Sequence, residues 1–211
     1  MIKFLAVAIL SLFIFTSCEN KTESEQQHVS KYYDDGRARP VVAVGTIIDS
    51  TSYDLPWSIS EELTHLVQKQ LSTNQSIFLA STDEIDEFLT NTDNPFDVNV
   101  SWMKDRFEPN EFLVFLELIN HTELKKDNIT NLDMSVRIRI VDVRSKKPRV
   151  ILQECLKDNY YIAKGAIKED YQNTVWGSNE YENSRMGLAH KQLAKDISDR
   201  ISDYIALSKS R

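Results

Sequence analysis

The sequence predicts an α/β fold. The expected form is a single two-layer or three-layer sandwich with a mixed sheet, parallel strands first and an antiparallel hairpin late, and a C-terminal helix packed on it. Three observations carry this. Residues 41–48 are a short, unbroken apolar run bounded by turn residues, the pattern of a strand buried on both faces, and 76–80 and 112–119 read as a second buried strand and a third, strongly apolar one. Leu132, Met134, Val136, Ile138 and Ile140 alternate with Asp133, Ser135, Arg137 and Arg139, the pattern of a strand with one wet face, and residues 150–156 follow a short turn as its hairpin partner. Residues 58–71 and 184–205 carry apolar side chains at helical spacing.

The elements follow in order. Residues 19–39 are polar and charged, too poor in apolar surface to offset the entropy of ordering, and predict a flexible tether on which Tyr32 and Tyr33 are the side chains able to dock. Residues 49–57 are a loop rich in Ser, Thr and Asp. Ser58 and Glu61 have capping-box spacing and open a helix whose Ile59, Leu63, Leu66, Val67 and Leu71 form one stripe. Ser81 and Glu84 repeat that spacing before a short helix with Ile85, Phe88 and Leu89 inward. One or two helical turns are expected over 101–107. Residues 157–183 resist assignment beyond a strand extension at 160–162. From Ser184 the chain reads as helix, with Leu193, Ile197, Ile201 and Ile205 in an i+4 row.

Residues 1–17 are separate in kind. Lys3 precedes an apolar run from Phe4 to Phe15, broken only by Ser11, and Thr16, Ser17 and Cys18 follow. About a dozen apolar residues is too short for the ~30 Å hydrocarbon core and suits a signal-peptide core. The ending on small residues and cysteine resembles the lipobox of bacterial lipoproteins, with Phe15 where leucine is usual. That resemblance implies cleavage before Cys18 and a lipidated thiol there. The expected organisation is a signal peptide over 1–17, a tether over 18–39 and one domain over 40–211.

Of 25 Lys plus Arg, residues 1–17 hold only Lys3, so 24 remain against 32 Asp plus Glu. An acidic chain of this kind argues against nucleic-acid binding, which needs a net basic surface. With Cys18 lipidated, Cys155 has no partner for a disulfide, and its strand-like surroundings predict a small apolar core residue. His28, His65, His121 and His190 show no metal-ligand spacing, and no phosphate-binding glycine loop or nucleophile elbow occurs. No catalytic residue, cofactor or metal is therefore expected.

Two surface candidates remain. Asp49, Ser50, Thr51, Asp54 and Trp57 lie after the first strand, where open α/β sheets bind ligands, and before a helix N-terminus able to hold an anion or a partner loop. The reading the residue types favour is a capped turn, with Asp49 bonded to its own loop. Arg137, Arg139, Arg144, Lys146, Lys147 and Arg149 make a basic hairpin, suited to anionic lipid, acidic cell-wall polymer or an acidic partner. A solvated strand face guarded by lysines is the reading favoured there. Tyr53, Trp102, Tyr160, Tyr161, Tyr171, Trp176 and Tyr181 add aromatic surface, mostly in expected loops.

Residues 41–71 and 76–88 show strand, Asp and hydroxyl loop, capped helix, second strand and second helix. That succession resembles the α/β domains of the Tol-system translocation protein, the curli secretion lipoprotein and the lipoprotein activators of penicillin-binding proteins. With residues 94–119 added, the match resembles an uncharacterised lipoprotein family of chlamydiae and their environmental relatives, over most of residues 40–205. The resemblance implies a fold and an envelope location, in the periplasm or at the outer membrane, and members of the broader group act by binding proteins. The propeller of the first group and a pore-forming segment like that of the second are not evident. The expectation is a membrane-tethered, non-enzymatic module that binds an envelope protein or cell-wall component, or serves as an assembly subunit. The alternative is a small-ligand protein or hydrolase using the Asp49 to Asp54 loop.

Overall fold

The structure, a computed structural model of the chain, describes residues 30–126, 129–163 and 174–210. In chain order the elements are β1 (Val41–Val44), β2 (Ile48–Asp49), α1 (Ile59–Thr73), β3 (Phe78–Leu79), α2 (Asp83–Thr90), α3 (Met103–Phe107), β4 (Phe112–Lys126), β5 (Ile129–Asp142), β6 (Arg149–Ala163), α4 (Asn179–Glu182) and α5 (Arg185–Lys209). The sheet order is β3-β1-β4-β5-β6, with β2 also paired to β4. β1 runs parallel to β3 and β4, and β4, β5 and β6 form an antiparallel meander. This is the mixed sheet that the two hydrophobic patterns predict.

Two apolar clusters lie on opposite faces of the sheet. Leu63, Val67 and Leu71 of α1 and Leu193, Ile197 and Ile201 of α5 cover Val42, Phe112, Val114, Val136 and Ile138. Ile85 and Phe88 of α2 and Met103 and Phe107 of α3 cover Ala43, Leu113 and Phe115. β1 and the first half of β4 are therefore buried on both sides, which explains their strongly apolar sequences. Each large apolar side chain so buried contributes about 1.5–3 kcal/mol. Ala194, Ser198 and Ser202 let α1 and α5 approach closely; Ser198 Oγ donates to the Ala194 carbonyl of its own helix at 2.7 Å and lies 3.3 Å from the Val67 carbonyl of α1. Among the described residues no helix is long and apolar enough to cross a membrane.

The local signals that hold are caps and stripes. Ser58 Oγ accepts the Glu61 amide at 3.2 Å, and Ser184 Oγ accepts the Gly187 amide at 3.0 Å. Several expectations change. The run 41–48 is two strands, because Thr46 and Ile47 give their amides to Asp86 Oδ1 at 2.7 Å and Thr64 Oγ1 at 2.9 Å instead of to the sheet. α2 begins at Asp83 behind Thr82, which makes no side-chain cap bond, while Ser81 Oγ donates to Asp83 Oδ2. The polar stretch after residue 119 is strand, paired from Phe112↔Asp142 to Lys126↔Ile129. Pairing with β5 and the burial of His121, Leu132 and Met134 hold that hairpin, so the weak strand propensity of its Asn and Asp residues does not prevail. Residues 31–39 fold back on the domain, with Tyr33 Oη donating to the Ser76 carbonyl at 2.6 Å.

Cys155 is exposed rather than in the core. It pairs in register with Arg137. Leu152, Leu156 and Tyr160, of the other parity, take the face under α5. A strand's side chains alternate, so only one set is covered.

Candidate functional site

The sheet, α1 and α5 converge on a buried polar chain. Glu62 lies one turn after Ile59, at the edge of the α1 stripe, and His190 lies one turn before Ala194 on the inner face of α5; both are fully buried. His121 reaches the same interior by a bulge. In β4, Phe112, Val114, Leu116 and Leu118 face this core, and the register with β5 slips between Leu118 and Asn120. The extra residue changes the parity. His121 thus pairs with core-facing Met134 and is 4% exposed.

The hydrogen bonds form a line. His121 Nε2 is 2.8 Å from His190 Nε2, and His190 Nδ1 is 2.8 Å from Glu62 Oε1. A carboxylate only accepts, so His190 Nδ1 carries the proton and donates. Tyr181 Oη of α4 donates to Glu62 Oε1 at 2.5 Å and lies 2.9 Å from His190 Nδ1. Trp57 Nε1 donates to Glu62 Oε2 at 2.7 Å. Burial pushes Glu62 up, but hydrogen bonding to His190 with its charge, then Tyr181 and Trp57, outweigh it, and the carboxyl sits below its ordinary range. Burial first, and then adjacent His190, hold His121 down to about 3. Its ring lies 4.1 Å from that of Tyr53, whose hydroxyl donates to Glu123 at 2.6 Å. Burial and then Glu123 push that phenol up.

Gly187 sets how Tyr181 enters. A Cβ there would meet the Tyr181 carbonyl oxygen at 2.2 Å, so only glycine lets the first turn of α5 lie against α4. The chain of Glu62, His190 and His121 orders carboxylate and imidazoles as in a catalytic relay. At its far end His121 Nδ1 is buried, with no hydrogen-bond partner among the described residues. Both carboxylate oxygens are engaged, and the network joins the loop before α1, α1, β4, α4 and α5. Among the described residues no cluster of His, Cys, Asp or Glu is arranged to hold a metal ion.

A cleft of about 110 Å³ opens over Glu62 and Tyr181, lined also by His65, Lys69, Trp176 and Lys191. Trp176 meets His65 edge-on with centroids 6.2 Å apart, and Lys191 Nζ is held by Glu182 Oε2 at 3.1 Å. Small-molecule pockets usually measure about 300–1,000 Å³. This cleft is well below that.

The residues singled out from sequence scatter. Asp49 Oδ1 accepts the Thr51 amide at 2.9 Å and hydroxyl at 2.7 Å, closing its own turn. Ser50 Oγ donates to Glu117, Asp54 is exposed, and Trp57 alone turns inward. The basic residues divide likewise. Arg139 is buried, its guanidinium donating to the carbonyls of Pro95 at 2.5 Å and Val98 at 2.9 Å, because the 91–102 segment covers the face expected to be wet. Arg137 faces Glu117 at 3.4 Å and lies over the Phe96 ring. Arg144 pairs with Asp142 at 2.8 Å and reaches Ser208. Burial pushes Asp142 up, but bonds from Arg144 and then Ser208 bring its pKa down to about 2. Only Lys146, Lys147 and Arg149 remain exposed. Cys18 and Tyr171 lie outside the described residues, as do the side chains around Tyr161.

The buried chain itself was not singled out from sequence. Two signals existed: Glu62 and His190 fall on inward helical positions, where a charged or titratable group needs a partner. The third member had none, because nothing local marks the bulge before His121.

Comparison with known proteins gives a fold and a family. The hypothetical protein CT253 from Chlamydia trachomatis is 24% identical over 80% of this chain and 98% of its own, with a TM-score of 0.65, and shares the fold. Lipoprotein GNA1162 from Neisseria meningitidis is 10% identical over 78% of this chain and 99% of its own, with a TM-score of 0.42. A minor lipoprotein from Acinetobacter baumannii is 12% identical over 81% and 94%, with a TM-score of 0.35. No curated protein matches. A family model matches residues 28–209, and the chain belongs to that family, a family of unknown function designated DUF7499.

Proposed function

We propose that the chain is a lipid-anchored lipoprotein of a bacterial cell envelope whose domain binds another envelope macromolecule, a protein in the first instance. The observation that carries the anchor is the run from Phe4 to Phe15 ending at Thr16, Ser17 and Cys18. Binding, as opposed to turnover, is supported by how the titratable groups are used. Glu62, His190, Tyr181 and Trp57 satisfy one another inside the fold, and Asp49 closes its own turn. The cleft above Glu62 has little room for a substrate. A lone acyl chain anchors marginally, so the anchor is expected to carry more than one.

Labelled fatty acid tests the anchor. Wild-type protein is expected to take up label and partition with membranes, and Cys18→Ser to do neither. Equal labelling of both would remove the basis of the reading.

A further inference from the structure

The two edges of the sheet differ. β3, at one edge, has two residues; β6, at the other, has fifteen. Among the described residues no strand lies on the outer side of β6. The strand has a bulge at Ile151 and then runs in unbroken register with β5 from Leu152. α5 covers one face, and Gln153, Cys155 and Lys157 on the other are exposed. Natural edges are usually guarded by lysine, proline or short length. Residues 150–156 carry one charge, Glu154, which Arg200 pairs with at 3.0 Å, and Lys157, just beyond them, is the one lysine of the strand. Among the described residues, this leaves an open row of backbone donors and acceptors over 150–156.

A groove of about 240 Å³ begins beside it, lined by Arg149, Val150, Ile151, Tyr204, Leu207 and Ser208. Val150 and Leu207 are 37% and 55% exposed. The same corner is positively charged. Four of the six residues 144–149 are basic and none is acidic, although the whole chain has net charge −7. Asp142 serves both Arg144 at 2.8 Å and Arg149 at 3.4 Å, so one carboxylate meets two guanidiniums. Lys146 and Lys147 stand exposed beyond them.

We propose that β6 accepts an extended segment of a partner polypeptide as an added strand. One apolar side chain of that segment sits in the groove by Leu207, and its carboxylates face Lys146, Lys147 and Arg149. Strand addition supplies affinity through main-chain bonds, and a pocket for an alternate side chain supplies choice. Charge complementarity selects a partner of different sequence over a second copy. Two-fold antiparallel pairing about Cys155 sets residues 147–149 against 161–163, which carry no carboxylate. The inference rests on the protein-binding reading above and gives it a surface.

The probe is a seven-residue acidic peptide of alternating character, acetyl-Asp-Val-Glu-Leu-Glu-Val-Asp-amide, with two controls. One control is N-methylated at alternate residues, and the other has lysine for every acid. With the full chain, the acidic peptide is expected to slow hydrogen exchange of the 152–160 amides at least tenfold. Neither control should do so, and Leu207→Glu or Lys146→Glu with Lys147→Glu should weaken the effect at least fivefold. No slowing at millimolar peptide, or equal slowing by the N-methylated control, overturns strand addition. Slowing that grows with protein concentration without peptide gives the edge to a second copy and also overturns it. Photo-crosslinkers at Gln153 and at Lys69 in cells separate this failure from that of the broader reading. Adducts at Lys69 alone leave protein binding standing and remove the β6 surface; adducts at neither remove both.

Discussion

His121 Nε2 lies 2.8 Å from His190 Nε2 across 69 residues of sequence, and this contact joins the sheet to α5. Glu62 completes the chain from α1. A buried carboxylate with no partner would be very unfavourable, and here three donors from three parts of the chain meet it. Such a network works as a unit, and its members fail together.

Acid should weaken the fold through His121. Its pKa falls from an ordinary 6.5 to about 3. Between those values the unfolded chain takes up a proton that the folded chain does not, so stability falls as pH falls through that window. At pH 5 the loss amounts to about 2 kcal/mol. The urea midpoint is expected to drop between pH 7.5 and pH 5, and His121→Gln to lose most of that drop. Glu62, also lowered, adds a further loss only below its ordinary 4.5. A midpoint flat from pH 7.5 to 5 would contradict the assignment.

Glu62→Ala should cost about 3–5 kcal/mol, because it leaves buried donors of His190, Tyr181 and Trp57 without an acceptor. His190→Ala removes much of the same network. The double variant is therefore expected to be less destabilised than the sum of the two, by about 0.5–3 kcal/mol. Strict additivity in urea unfolding would show that the groups do not act together.

Gly187→Ala should destabilise by about 1–3 kcal/mol through steric overlap. The expectation runs against helix propensity, which favours alanine by about 1 kcal/mol. The obstacle is backbone, the Tyr181 carbonyl at 2.2 Å. Gly45→Ala meets the end of the Leu89 side chain at 2.7 Å, which can turn away, and Ile85 at an ordinary 3.4 Å, and should lose less. Thermal melts of the two variants give the comparison.

Arg139→Ala should free the 91–102 segment while leaving the sheet intact. The guanidinium fork spans two carbonyls, Pro95 and Val98. Lysine lacks that geometry, so Arg139→Lys should not restore it. Faster hydrogen exchange at residues 96–100, with β5 amides unchanged, is the expected result. Uniform acceleration would mean that Arg139 supports the whole domain.

The elements legible in the chain are those with local causes. A stripe at helical spacing must bury one side, so α1 and α5 follow from Leu63, Val67, Leu193 and Ile197 with little outside help. Ser58 and Ser184 cap because each hydroxyl needs only an amide three residues on. Strongly apolar runs mark β1 and the first half of β4 because both faces of a central strand are dry there.

What covers each face of a strand is a different kind of fact. Arg139 and Cys155 differ from expectation in opposite senses for one reason: the 91–102 segment lies over Arg139, and among the described residues no element lies over Cys155. Alternation marks two faces without saying which neighbour each will meet. The buried chain depends on more distant facts still. One extra residue at 119 turns His121 inward, α5 brings His190 to it, and α1 supplies Glu62. Residues so far apart in sequence meet only through strand register and helix packing, and no local pattern carries that information.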